Sequence, residues 1–417
     1  MNLDAIALTL PRVLKMAVFV LVDALIARRL GPERFGIYAY CGAIFMILVQ
    51  LSRYGTDDVI IRALLHRTAS DSLASILTVR LIGGALASAA LFVVYFIDPT
   101  LNRFGIVLWL YPAGLILASL AIMDPLLQAN RQFRLLAVLQ AVMILTIGMV
   151  KLTLVLTTEN VALFLIVFPL EFALPVLFTL AIAVNGTLRA TMDHNVAART
   201  VLARFKEASY LVAAAVVMMA YTRLDQIMLA NMRPLTDVAT YAAAYRVPEA
   251  TAFLGSVICQ ITFPSLLRMR AENADAYNEV LRQTARVLYV IGIAVTVVIA
   301  LFSGPIVGLI FGPQYAASVS TMRILSLIVL PAYFGLFTYR WMVAEKLAHL
   351  ALMRSIFGIG LNAVLNLVLI PTYGPVGAAV ATVVTMTATY FGTLFITPST
   401  RPFGRLVLSA AIPWKAR

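Results

Sequence analysis

The stretch V161-ALFLIVFPLEFALPVLFTLAI-AV184 runs for 24 residues with a single charged side chain, Glu171. An apolar run of about 20 residues matches the length of a helix crossing the hydrocarbon core of a bilayer. A barrel strand needs only about 9–11 residues, with alternating polarity. This run is continuous, not alternating, so it reads as a membrane helix. Runs of the same kind recur along the chain. Helices are expected near 5–27, 35–52, 76–97, 105–123, 136–157, 161–184, 209–231, 239–263, 287–311, 321–343, 349–370 and 375–396. Composition agrees: 62% of the 417 residues are hydrophobic and 12% charged, against about 25% charged in soluble domains. Too little polar surface remains to cover a body in water, and in lipid each span must satisfy its own backbone groups as a helix.

The expected fold is therefore an all-α integral membrane protein of about twelve transmembrane helices. The connections are short. The charge-rich segment 185–208 reads as a cytoplasmic linker between an N-terminal six-helix bundle (1–184) and a C-terminal one (209–396), with 397–417 as a cytoplasmic tail. The first segment carries Arg12 and Lys15 and lacks a cleavage site, so it reads as a retained helix and not a signal peptide.

A net charge of +13 on a soluble chain would point to nucleic acid. Here the basic residues sit in short loops, where they set orientation. Alternate loops and the C-terminal tail hold 18 Lys and Arg against 5 on the other side, which places both termini in the cytoplasm. Arg28, Arg29 and Arg34 are the exception, on the outer face. Cys41 and Cys259 both fall in helices, so no disulfide framework is expected. The three histidines form no metal spacing, and no phosphate-binding loop is present. Neither a cofactor nor a metal is expected, and nothing reads as catalytic.

Two internal matches point to a repeat. Asp23 is followed after 15 residues by Tyr38, and Asp225 after 16 by Tyr241. Ala129, Leu135 and Ala137 match Ala344, Leu350 and Leu352. These favour two bundles related by pseudo-twofold symmetry, a transporter build with the substrate path between the halves.

Ionisable groups at mid-bilayer cost roughly 2.5–3.5 kcal/mol on insertion scales and mark function. Arg12, Lys15 and Asp23 share one face of helix 1, and Lys15 lies about 15 Å in, near the midplane. They line a central cavity, or Arg12 and Asp23 reach the two surfaces instead. Arg246 and Glu249 share a face of helix 8 and lie close enough to neutralise each other. Glu171 has no local partner and reads as a proton or cation site. Lys151 is a cavity cation or reaches the outer interface. Arg80, Arg340 and Arg354 lie near cytoplasmic ends and read as anchors. The cations outnumber the acids, which suits an anionic substrate such as a phosphate.

Several ordered strings carry a resemblance: LGPERFGIYAY (30–40), LDQIMLA (224–230), YAAAYRVPEA (241–250), FGPQYAASVSTMRIL (311–325), AEKLAHLALMRS (344–355) and LNAVLNLVLIPTYGPVGAA (361–379). Across almost its whole length the chain resembles the polysaccharide-transport flippases of the MOP superfamily, the O-antigen or Wzx type. The resemblance implies a MATE-like fold and transport, not enzymatic activity. It also implies movement of a polyprenyl-diphosphate-linked oligosaccharide from the cytoplasmic to the periplasmic leaflet of a bacterial inner membrane. Transport of this kind proceeds by alternating access without ATP hydrolysis. By depth and face, Lys15, Arg12, Arg246 and Lys151 are the diphosphate candidates. Asp23, Glu171, Asp225 and Glu249 are candidates for ion coupling. The bilayer and other membrane proteins of glycan assembly are the expected partners, nucleic acid is not, and a functional monomer is expected. A multidrug or cation antiporter of the same superfamily is the nearest rival, but its cavity would favour acids. A membrane-embedded glycan polymerase or ligase would need larger outer loops.

Overall fold

The apolar runs fold as helices throughout the computed structural model, which describes residues 3–57, 59–61, 73–182, 198–272 and 274–411. The N-terminal helices are α1 (Leu3–Arg53), α2 (Leu73–Ile97), α3 (Pro99–Asn102), α4 (Gly105–Leu120), α5 (Met123–Ala129), α6 (Phe133–Thr157), α7 (Val161–Leu170) and α8 (Ala173–Ile182). Next come α9 (Ala198–Met232), α10 (Leu235–Glu272), α11 (Ala274–Ile310), α12 (Ser318–Leu325), α13 (Val329–Ala344), α14 (Ala348–Tyr390) and α15 (Arg401–Ala410). No strand occurs among the described residues.

Eight helical stretches are long and apolar enough to cross a membrane. Their outward faces carry large bare apolar side chains: Leu309 is 80% exposed, Trp109 76% and Leu156 72%. Such a surface needs lipid as its solvent, and the chain is a multi-pass membrane protein. Twelve spans are consistent with these eight stretches. Val18–Arg53 and His349–Phe395 each hold two of the expected helices, and the more heavily charged α9 and α10 are not among the eight.

Both of those long stretches turn at a glycine. Gly31 in α1 has φ 73°, ψ 171°, and Gly374 in α14 has φ 54°, ψ −130°. These conformations are open to glycine and strained for any side chain. Each lies beside a proline, Pro32 or Pro375, that restarts the helix with its φ already set.

The span expected at 161–184 is broken. Pro175 has no N–H to donate to the carbonyl of Glu171, so the helix opens at Glu171 and Phe172. It resumes as α8 with the proline in its first turn, where a missing donor costs nothing. Glu171 therefore stands at a helix break.

The chain divides into two compact units, Met1–Arg223 and Leu224–Arg417, with the boundary inside α9. The first part of α9 belongs to the N-terminal unit: Val212 is buried with Tyr54 and Val79, and Phe205 stacks on Tyr54 at 4.5 Å. Of the linker expected at 185–208, residues 185–197 lie outside the described residues and 198–208 are helical. Within the expected tail, α15 is amphipathic. It buries Phe403, Val407 and Ala410, and Phe403 stacks on Trp341 at 4.1 Å.

Candidate functional site

Among the described residues, the N-terminal unit holds two buried carboxylates bonded to a tyrosine, Asp98 to Tyr40 and Asp23 to Tyr38, and the C-terminal unit holds Asp225, bonded to Tyr241. In the N-terminal unit Asp23 is 1% exposed and accepts a hydrogen bond from the Tyr38 hydroxyl at 3.4 Å. Both residues lie on α1, on opposite sides of the Gly31 turn, which folds the second half of the helix back towards the first. Phe168 of α7 stacks on the Tyr38 ring at 4.9 Å and fixes its direction.

In the C-terminal unit Asp225 is 3% exposed and accepts four hydrogen bonds. Tyr241 donates to Oδ2 at 2.6 Å and Thr382 to the same oxygen at 2.8 Å. Asn366 and Asn362 donate to Oδ1 at 2.7 and 3.0 Å. Asn366 also bonds Asn362, and its own Oδ1 is buried without a partner among the described residues. Asn362 and Asn366 precede the Gly374 turn and Thr382 follows it, so the turn brings both halves of α14 to one carboxylate. A cluster of carboxylate, amide and hydroxyl oxygens is the ligand chemistry of a small, hard cation.

The spacings of 15 and 16 residues thus correspond to two real Asp–Tyr bonds. Tyr241 is 1% exposed and committed to Asp225. Thr382 was not singled out from the sequence, since nothing local marks one threonine in TVVTMTATY as the one that faces an aspartate.

Glu171 is not a lone carboxylate. Lys151 on α6 reaches it at 2.7 Å and is 8% exposed, so of its two expected placements it does not take the one at the outer interface. Lys151 also stands within electrostatic range of Asp23 and Tyr38. Arg246 and Glu249 pair at 3.5 Å, as their spacing allows. These two pairs occupy two of the four expected substrate cations. The other two, Arg12 and Lys15, lie on the α1 backbone, but their side chains are outside the described residues.

The anchor reading fails for two arginines. Arg80 is fully buried: it pairs with Asp57 at 2.8 Å and donates to the carbonyls of Ser119, Ala118 and Ala121. Arg354 is 8% exposed and lies over the Tyr390 ring. On the expected outer face, Arg29 and Arg34 both pair with Glu159, at 3.3 and 3.5 Å, which gives these two exceptions to the loop-charge rule a local counter-ion.

Residues 25–320 match a family model described as polysaccharide biosynthesis protein. The probable flippase AglR of Haloferax volcanii is 32% identical over 180 residues, covering 40% of this chain and 36% of that protein. The chain thus spans about a third of the length of the curated relatives it matches. Among solved structures, the lipid II flippase MurJ in its inward closed conformation aligns with a TM-score of 0.75 at 17% identity, over 99% of this chain and 90% of that one. An inward-facing multidrug resistance MATE transporter of the MOP superfamily aligns at 0.68 and 14%, over 96% of each. At such identities these likenesses establish a shared fold.

Proposed function

The chain belongs to the polysaccharide biosynthesis protein family, and from that premise we propose that it is a flippase. It carries a polyprenyl-diphosphate-linked oligosaccharide from the cytoplasmic to the periplasmic leaflet of a bacterial inner membrane, for assembly of a surface polysaccharide. The observation that carries the reading is the family match over residues 25–320. The roles named for AglR and MurJ, a probable flippase and a lipid II flippase, point the same way. Both termini lie in the cytoplasm by the loop-charge count.

In this reading the lipid diphosphate is held by cations, as phosphate oxygens require. Lys151 and Arg246 are each engaged with a carboxylate, so Lys15 and Arg12 carry most of that role. The energy comes from an ion gradient. Asp225 is the coupling site, because its cluster offers carboxylate, amide and hydroxyl oxygens to a small cation, including the unpartnered Oδ1 of Asn366. Asp23 takes the corresponding place in the N-terminal unit.

The test uses cells that lack the protein. Lipid-linked oligosaccharide should accumulate on the cytoplasmic leaflet and surface glycan should disappear. Lys15→Glu, expressed at normal level in the membrane, should fail to restore the glycan. Normal glycan together with sensitivity to cationic drugs would replace the flippase with a multidrug exporter. Full rescue by Lys15→Glu would remove that residue from substrate binding.

A further inference from the structure

The repeat between the starts of α6 and α14 extends to the turns that precede them. At an offset of 215 residues, Arg131 falls on Lys346 and Arg134 on His349. Both turns close in the same way. The Gln132 N–H donates to the Leu127 carbonyl at 2.9 Å, and the Leu347 N–H to the Met342 carbonyl at 2.7 Å. Arg131 and Lys346 stand at the matching position, with φ 56° and 61°. Helices that end in this way usually place glycine there, because a side chain in the left-handed region is strained. Each unit thus keeps a basic side chain where glycine would be more stable, and such an outlier points to a use for the side chain.

The two turns differ in charge. In the C-terminal turn Glu345 adjoins Lys346, and it is held by Arg270 at 3.0 Å and Tyr277 at 2.7 Å. The matching residue in the N-terminal turn is the neutral Asn130. Arg131 and Arg134 are both exposed, and neither meets a carboxylate among the described residues. With Gln132, Phe133 and Leu135 they line an open cleft of about 440 Å³. An apolar stripe runs from that cleft along α6: Leu135, Val138, Val142 and Leu145 are all exposed. Their spacing of three, four and three keeps them on one helix face. From Leu135 to Leu145 the stripe covers about 15 Å, the depth of one leaflet of the hydrocarbon core.

We propose that this cleft is a binding site for an anionic glycerophospholipid. Arg131 and Arg134 hold the phosphate, and an acyl chain lies along the stripe from Leu135 to Leu145. Charge selects the class of lipid. Two guanidinium groups with no acid beside them match a headgroup of net negative charge, and guanidinium forks bond phosphate oxygens in pairs. A zwitterionic headgroup carries its own cation and gains less. A phospholipid is favoured over the lipid-linked diphosphate because the stripe is exposed to bulk lipid, where phospholipid is in large excess and fills the site by mass action. The C-terminal turn, where Glu345 offsets Lys346, should lack this preference. The proposal stands whether or not the chain is a flippase.

The experiment titrates the purified full chain in detergent with phosphatidylglycerol or phosphatidylcholine and counts bound lipid per chain by native mass spectrometry. The wild type should hold one phosphatidylglycerol more tightly than phosphatidylcholine. A basic residue near an anionic headgroup is worth roughly fivefold in affinity, so Arg131→Gln with Arg134→Gln should weaken phosphatidylglycerol roughly thirtyfold. The matched pair Lys346→Gln with His349→Gln should leave that site unchanged. Arg131→Gly keeps the test open if the double variant does not fold. Glycine relieves the left-handed strain, so this variant should melt at a higher temperature and still bind phosphatidylglycerol roughly fivefold more weakly. Inorganic phosphate, which has no chain for the stripe, should not displace the lipid. The proposal is overturned if the wild type binds both lipids equally, or if Arg131→Gly and the arginine pair bind phosphatidylglycerol as the wild type does. An equal loss in the Lys346/His349 pair would also overturn it, since general positive charge would then be the cause. Displacement by an equal concentration of polyprenyl diphosphate would overturn it too and assign the cleft to that lipid.

Discussion

Replacing Asp225 by leucine should lower the stability of the purified protein by about 3–5 kcal/mol and abolish transport. The side chain is 3% exposed and accepts from Tyr241, Thr382, Asn362 and Asn366. Leucine removes the acceptor that these four buried donors share. Interhelical hydrogen bonds in membrane proteins average only about 0.6 kcal/mol, with a maximum near 1.7, because helices separated in lipid find other partners. Bonds to a charged acceptor lie higher, at roughly 1.5–3 kcal/mol in soluble hosts. Four bonds at about 0.8–1.2 kcal/mol each, between the membrane average and its maximum, give the quoted loss. Asp225→Asn keeps one acceptor oxygen and should lose about half as much. The measurement is denaturant unfolding in detergent. A loss below about 1 kcal/mol for leucine would mean that the four donors are readily satisfied elsewhere, and the cluster would not be the organiser of the C-terminal unit.

The second large effect is expected at Arg80. Its guanidinium has no exposure and donates to three carbonyls, those of Ser119 (2.6 Å), Ala118 and Ala121 (both 3.3 Å). These carbonyls sit at the end of α4, whose last turn has no intrahelical donors of its own. Arg80→Met should cost about 3 kcal/mol, the scale of leaving several buried acceptors unmet. The ion pair with Asp57 is the smaller part, because Asp57 is 45% exposed and such pairs contribute at most about 1 kcal/mol. Asp57→Asn should therefore cost less than about 1 kcal/mol. Arg80→Lys should recover only a minor part of the loss, since a single ammonium cannot reach carbonyls on several sides as the planar fork does. Equal losses for Asp57→Asn and Arg80→Met would show that the ion pair, not the helix end, is what Arg80 serves.

Much of the architecture was legible in the chain. Runs of about 20 apolar residues partition into lipid whatever their neighbours, so the membrane helices follow from local composition alone. Gly31 and Gly374 fall between expected helices, each next to a proline, and the backbone turns at both. The Asp–Tyr spacings, read from the sequence as a repeat, each hold a hydrogen bond, because a helix turned back on itself brings the two flanks of a short turn together. The break at Glu171 was not among the expectations, although its cause, the missing donor of Pro175, is local.

The partners of the buried charges were not legible. Arg80 and Lys151 lie near helix ends in the sequence, where Arg80 reads as an interface anchor and Lys151 as either a cavity cation or a residue that reaches the interface. In the fold, Arg80 caps a helix 38 to 41 residues away and Lys151 meets a carboxylate 20 residues on. Asp225 gathers donors from 16 to 157 residues away. The sequence by itself determined where the chain enters lipid and where it turns, since both depend on the free energy of each segment against its solvent. Only the tertiary structure decided which polar groups meet inside. A buried charge is stabilised by whichever hydrogen-bond partners lie within about 3 Å, and that depends on which helix faces are neighbours, a property no single segment carries.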